Sequence, residues 1–529
     1  MSREHEHVRR LCARPALIPA MAVALAAAVL SAAGPQSAAP DGGRLAAAFA
    51  DVDRLMTASA SQVHSPGAAW GVIVDGQLAH TAVTGYRDVA AKAPVDADTV
   101  FRIASMTKSF TAMSILKLRD EGKLSLDAEA ERYVPELKGL TYPTTDAPKI
   151  TVRHLLSHAA GFPEDNPWGD RQLADSDEQL SAMLRGGIPF SNAPGIAYEY
   201  SNLGFAILGR IVSNVSGTRY TDFVAANILR PLAMTSTTLE PKQVAPNRLA
   251  LGYRWEDERW KEEAQLSNGS FGSMGGLLTS LRDLSRYVGV FLSAWPPHDG
   301  PETAPIRRAS LREMQQVWRI APAFVTRDPA GATQLNAGGY AYGLRVTQSC
   351  RFRHIVSHTG GLPGFGSIML WLPDYGVGIV AFGNVTYTSW SRVTNAAMEA
   401  FVDRAGLKPR QPAPSPALTQ ARDAVSRLVA RWDDALADSI AAENLFLDRT
   451  KERRRAEIDR LRSSVGSCSA DPRAFDNVEN ALRGLWTMNC ERGKLQIAIT
   501  LAPTMPPRVQ LLEVREAQRT QPSGESCAP

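Results

Sequence analysis

Two strand–turn–strand signatures, set far apart along the chain, constrain its fold more than any other feature. Ala68 to Val74 and Gln77 to Thr84 are apolar runs joined by Asp75-Gly76. That pair suits a two-residue hairpin because both turn positions take positive φ, which Asp tolerates and Gly favours. Ser367 to Leu372 and Val377 to Phe382 flank Pro373-Asp374-Tyr375-Gly376 in the same manner. Between the two hairpins lie mostly helical patterns and long loops. Strands at both ends with helices between them predict an α+β fold. It is one antiparallel sheet built from both ends, flanked by helices and carrying a helical subdomain.

The main unit covers residues 45–406 and opens with a short helix around Leu45 to Met56. Residues 407–416, containing Pro409, Pro412, Pro414 and Pro416, read as an extended, semi-rigid linker. A small α+β unit follows at 417–529, with a charged helical region from Thr419 to about Ser464. Strand-like runs at Gly484 to Cys490 and Lys494 to Leu501 complete it. Its sequence holds no constellation that carries chemistry.

Residues 1–39 have the form of a cleaved signal peptide. Arg9, Arg10 and Arg14 precede an apolar stretch from Ala16 to Leu30, then the small residues Ser37-Ala38-Ala39. An uncleaved anchor is the other reading, but the stretch is alanine-rich and broken by Pro19. The expectation is export to a periplasm or the exterior, with the membrane met only in transit. Of the 5 cysteines, Cys12 would leave with the leader. Cys468 and Cys490 are close enough for a local bridge. With Cys350 and Cys527 present, three pairings stay open, as do unpaired thiols.

The net charge is only +4, and the basic cluster Lys451 to Arg455 sits among Asp448, Glu457 and Asp459. That pattern is a solvated helix face, so no nucleic-acid partner is expected. No His/Cys spacing fits a metal site. Neither metal nor organic cofactor is expected, and the partner is a small-molecule or peptide substrate.

Three short motifs carry chemistry. Ser105-Met106-Thr107-Lys108 begins a helical run, Met106 to Arg119, that ends at Gly122. Residues three apart share a helix face, so the amine can reach the hydroxyl. The run is apolar on most sides, and burial lowers a lysine pKa, as a lysine acting as base requires. Ser114 to Lys117 also has this spacing, so spacing alone decides nothing. Tyr200-Ser201-Asn202 precedes an apolar helix, Leu203 to Val212. A phenol near a lysine can shuttle protons and an Asn amide can hold a carbonyl; a turn with Asn202 as helix cap also explains the triplet. His358-Thr359-Gly360-Gly361 ends an extended run. Its glycines would let a substrate lie against a strand edge, though a tight turn with an incidental histidine gives the same letters.

In this order the three motifs resemble the superfamily of serine β-lactamases, DD-peptidases, D-aminopeptidases and esterases, in the branch that includes class C enzymes. Val100 to Ala104, Thr151 to His158, Pro231 to Met234, Gly275 to Leu277 and the helix around Asp283 resemble it as well. The likeness runs from about Leu45 to Ala405. It implies Ser105 as nucleophile, Lys108 as its proton partner and Tyr200 as the base that later protonates the leaving group. Asn202 would bind the substrate amide, and His358, Thr359 and Gly360 would line the strand-edge site. Backbone N–H groups of Ser105 and Gly361 would form the oxyanion hole. His154 and His158 would be hydrogen-bonded scaffold. His358 stands where most β-lactamases carry lysine, and a histidine is largely neutral at pH 7. Peptide or ester hydrolysis is therefore expected ahead of β-lactam hydrolysis. A non-catalytic protein binding cell-wall peptides in the same cleft is the alternative of another class.

Overall fold

The computed structural model describes residues 42–327, 333–470 and 474–517. The leader at 1–39 and Cys527 lie outside the described residues. Within them no helix is long and apolar enough to cross a membrane.

The main sheet contains β1 (Gly67–Val74), β2 (Gln77–Asp88), β3 (Ala93–Pro94), β4 (Arg319–Arg327), β5 (Thr333–Tyr340), β6 (Arg345–Ser349), β7 (Ile355–Leu362), β8 (Phe365–Leu372) and β9 (Val377–Gly383). The order is β3-β2-β1-β9-β8-β7-β6-β5-β4, antiparallel throughout. The expected hairpins therefore meet at the centre, where β1 pairs with β9 from Ala68↔Gly383 to Val74↔Val377. Both faces of β8 and β9 are covered, which is why these strands read as unbroken apolar runs rather than alternating ones.

On one face Trp70, Val72, Leu370 and Ile379 meet the helices Gly42–Gln62 and Ser391–Ala405. On the other, Met369, Trp371, Val380 and Phe382 join the core of the helices Thr107–Asp120, Asn202–Ser216 and Leu281–Ser293. Two expectations need correction. The first helix outruns Leu45 to Met56 at both ends. Strands β4, β5 and β6 occupy a stretch that reads as helix and loop, because β4 is exposed along nearly its whole length. Without a buried face there is no alternation to read.

The C-terminal region has its own core, including Leu418, Val425, Trp486 and Ile497. Its charged helical stretch is three helices, Pro416–Ala430, Asp434–Ile440 and Lys451–Val465. Asn477–Asn480 and Val509–Glu516 extend the two expected strands to a four-stranded antiparallel meander. Cys468 and Cys490 are disulfide-bonded and Cys350 is free. The proline-rich segment is pinned on both sides. Arg410 donates to the carbonyls of Leu292 (3.3 Å) and Trp295 (3.1 Å), and Gln411 donates to Asp476 O at 2.8 Å.

Candidate active site

The Ser105 turn is held by the backbone before it. Ile103 N–H donates to Leu277 O (3.0 Å), and Ser367 Oγ donates to Ile103 O (2.9 Å). Strand β7 crosses this turn so closely that a Cβ on Gly360 would lie 2.0 Å from Ile103 O. Only glycine fits there. Ala104 takes a left-handed φ of 48° and Ala104–Met106 forms a 3-10 turn, from which the buried helix Thr107–Asp120 continues. Thr107 ties the junction, donating to Ala104 O (2.7 Å) and accepting from Leu277 N (3.1 Å). The second Ser-x-x-Lys spacing separates cleanly. Ser114 bonds its own helix at Phe110 O, and Lys117 turns outward to Glu121 at 3.1 Å.

Lys108 is fully buried. Its Nζ lies 3.0 Å from Ser105 Oγ, 2.7 Å from Asn202 Oδ1 and 2.9 Å from Met274 O. Burial pulls the amine down to about 7, against the opposing pull of Asp165, Asp170 and Glu164. A neutral amine has two N–H groups and one lone pair. Asn202 Oδ1 and Met274 O can only accept, so they take both N–H groups and leave the lone pair facing the Ser105 hydroxyl. Burial pushes the Tyr200 phenol well above its ordinary value, outweighing the downward pull of the nearby Ser105. Lys108 Nζ lies 4.8 Å from the Tyr200 ring centroid.

Tyr200 and Asn202 are presented by the start of the helix Asn202–Ser216. Ser201, rather than Asn202, caps it, accepting from Gly204 N at 3.2 Å. Because the cap is its neighbour, the Asn202 side chain serves the site, its Oδ1 accepting from Lys108 and its Nδ2 donating to Asn166 Oδ1 at 2.7 Å. Two residues outside the motifs fix this turn. His158 Nδ1 accepts from Ser201 N (3.0 Å), and Asp165 accepts from Asn202 N (2.6 Å), Leu203 N (2.8 Å) and Ser201 Oγ (3.3 Å). His154 completes a capping box with Thr151, so both histidines have the bonded positions expected of scaffold. Asp165 had no signal beyond its acidity. Asp165→Ala removes three buried acceptor contacts. It should destabilise the fold by about 1–3 kcal/mol, read as a lower Tm, and depress turnover by loosening Tyr200.

His358, expected to line the strand-edge site, has its imidazole held inside the fold. It is buried, its Nδ1 lies 2.6 Å from Thr359 O and its Nε2 lies 2.8 Å from Tyr340 Oη. A carbonyl cannot donate, so Nδ1 carries the proton and Nε2 accepts from Tyr340. Burial, with Lys108 and Arg345 nearby, depresses its pKa to about 3. The imidazole is a neutral wall of the site. Beyond it, among the described residues, β7 lacks a neighbour on one side, where β6 pairs only with Ile355, Val356 and Ser357. The backbone from His358 through Thr359, Gly360 and Gly361 thus has an open edge beside the Ser105 turn, with Thr359 and Gly361 partly exposed.

A model of the beta-lactamase family matches residues 52–403. The chain belongs to that family. Among curated relatives, Protein flp of Staphylococcus aureus (strain N315) is 29% identical over 339 residues, covering 63% of this chain and 62% of flp. Penicillin-binding protein 4* of Bacillus subtilis (strain 168) is 25% identical over 315 residues, covering 57% and 64%. Each match spans less than two thirds of the relative. The family fold appears in the octameric penicillin-binding protein homologue from Pyrococcus abyssi (TM-score 0.56, 20% identity, 89% of this chain and 98% of that one). It appears again in the class C beta lactamase from Rhodobacter sphaeroides (TM-score 0.52, 21% identity, 67% and 98%). The family is one of serine acyltransferases and hydrolases, so a hydroxyl wired to an amine has a chemical context here.

Proposed function

We propose that the chain is an exported serine hydrolase that cleaves an amide or ester bond through a covalent acyl-enzyme on Ser105. The observation that carries this is the position of Lys108 Nζ, 3.0 Å from Ser105 Oγ with Asn202 Oδ1 and Met274 O placed to take both N–H groups of the neutral amine. Ser105 Oγ attacks the substrate carbonyl and passes its proton to Lys108. Tyr200, whose phenol stays protonated, then hands a proton to the leaving group and is refilled from Lys108. The resemblance implied Tyr200 as base; because burial lowers the Lys108 amine and raises the Tyr200 phenol, this reading gives the basic step to Lys108 and the relay to Tyr200. Substrate lies along the open edge of β7, its amide on Asn202, with the N–H groups of Ser105 and Gly361 stabilising the oxyanion.

Arg345 supplies the cation that His358 does not. It is exposed, its guanidinium carbon lies 5.8 Å from the Tyr198 ring centroid and 6.0 Å from that of Tyr340, and among the described residues no carboxylate pairs with it. A guanidinium with no carboxylate partner, resting by Tyr340 whose ring lies 6.3 Å from that of Tyr200, suits a leaving group bearing a carboxylate. A peptide or depsipeptide with a free acid end is therefore favoured over a β-lactam. The test uses N-acetylalanyl thioglycolate and its methyl ester. The acid should be the better substrate, and Arg345→Gln should lower the acid-to-ester ratio of kcat/KM by about 10–100-fold, equivalent to one charged hydrogen bond. Folded protein that turns over no amide, ester or thioester, yet binds peptides, overturns the hydrolase in favour of a binding protein.

A further inference from the structure

One buried carboxylate in the cleft has no place in this mechanism. Asp170 lies on the one-turn helix Trp168–Arg171 and is 3% exposed. Its Oδ2 accepts from Tyr387 Oη at 2.9 Å. Among the described residues, Oδ1 accepts no hydrogen bond and no Lys or Arg lies within ion-pair distance of the carboxylate. Such a group is costly unless a cation or donor meets it.

Its position is fixed from two sides. Gly169 packs against Asn202, where an added Cβ would fall 2.6 Å from the Asn202 Cβ. Tyr387 lies over β7, its Cδ1 3.0 Å from where a Cβ on Gly361 would sit. To place its phenol there, Tyr387 takes a left-handed φ of 52°, which a non-glycine residue holds only when its surroundings impose it. The Asp170–Tyr387 hydrogen bond therefore spans from the side-chain amide of Asn202 to the oxyanion strand. Asn202, against which Gly169 packs, also accepts from Lys108 at 2.7 Å, so the carboxylate stands one residue from a contact of the reacting centre. Arg345 stands instead at the rings of Tyr198 and Tyr340, and it is not paired with Asp170. The leaving group belongs on the Arg345 side, with the phenol that protonates it. The acyl group belongs on the side of Asn202 and Gly361, with Asp170.

We propose that Asp170 is the subsite for a substrate ammonium, receiving the free α-amine of the acyl group. With Arg345 on the leaving-group side, the cleft then selects short peptides or esters with an unblocked amino end and an acid end. This rests on the hydrolase reading above. Burial pushes the Asp170 carboxyl up against the opposing pull of Tyr387, Lys108 and Arg171, with Asp165 adding to the rise, and an incoming ammonium would favour its ionised form. Tyr387 holds one carboxylate oxygen so that the other is presented.

Alanyl thioglycolate and N-acetylalanyl thioglycolate, each as both enantiomers, share a leaving group and differ only in the amine. The wild-type chain should prefer the free amine by at least tenfold in kcat/KM for one enantiomer. Asp170→Asn should reduce that preference to within about threefold of unity. Asp170→Glu, which keeps the charge, should retain part of it, so that loss in both variants marks a structural role and overturns the proposal. An Asp170→Asn protein that slows both substrates equally and keeps the ratio also overturns it, as does a wild type that turns over both compounds alike. That last result leaves the hydrolase standing. Turnover of none of the four overturns the amine subsite, whereas the hydrolase falls only if no other amide, ester or thioester is turned over either.

Discussion

Ser105→Ala should abolish covalent labelling and lower turnover by about 10⁴–10⁶-fold, the loss seen when a hydrolase is deprived of its nucleophile. The two partners of Ser105 Oγ, Lys108 and Tyr200, are fixed by other contacts. Lys108 keeps Asn202 and Met274, and Tyr200 keeps its packing against His158 at a ring separation of 4.3 Å. The site therefore stays assembled without the hydroxyl. The unfulfilled Tyr200 hydroxyl costs about 1 kcal/mol, which moves Tm by only a few degrees for a domain of this size. Intact mass after exposure to a serine-directed phosphonate reads the labelling. Wild type should carry one adduct and Ser105→Ala none, with both melting cooperatively. Ser114→Ala is the control with the same spacing. Its hydroxyl bonds its own helix at Phe110 O, and that variant should label as wild type. An adduct that persists on Ser105→Ala places the nucleophile elsewhere.

What the sequence made legible follows from locality. Ser105 and Lys108 are one helical turn apart, so their meeting is decided by the helix itself. Tyr200 and Asn202 sit on either side of a cap, and the glycines after His358 mark a strand that something must cross closely, as the Ile103 carbonyl does. Asp165, Asp170, Tyr340, Arg345 and Tyr387 carry no such mark. Each acts through a residue distant in sequence, such as Tyr387 on Asp170 or Tyr340 on His358. A lone acid or phenol has no periodicity to betray its partner. The same logic separates the strands. The central hairpins declare themselves by apolar runs and turn residues, whereas exposed β4 has no buried face to pattern it. His358 shows the limit of a motif read by letters. Its place in the triplet was legible, but its burial and its bond to Tyr340 depend on β5, which was not.

The second large effect concerns Lys108. Lys108→Met preserves much of the buried volume and removes the amine, and kcat/KM should fall by about 10²–10⁴-fold, the usual contribution of a positioned proton acceptor. The pH profile then identifies the group. The amine titrates at about 7 and must be neutral to accept from Ser105, so wild-type kcat/KM should rise with pH through that value and level above it. His358 is depressed to about 3, His158 lies well below its ordinary range, and the Tyr200 phenol lies above its own. None of them can supply that limb. Stability should carry the same signature. The unfolded lysine binds a proton below about 10.4, while the folded amine stays neutral down to about 7. Between these values the unfolded chain holds more protons, so the contribution of this site to stability rises with pH across the window and is flat below it. Lys108→Met should lose that slope together with the kinetic limb. A variant that keeps the limb near 7 would assign the proton to a group other than Lys108. A wild-type limb near 10 would mean the amine is solvated in the working enzyme, and the basic step would then need a different acceptor.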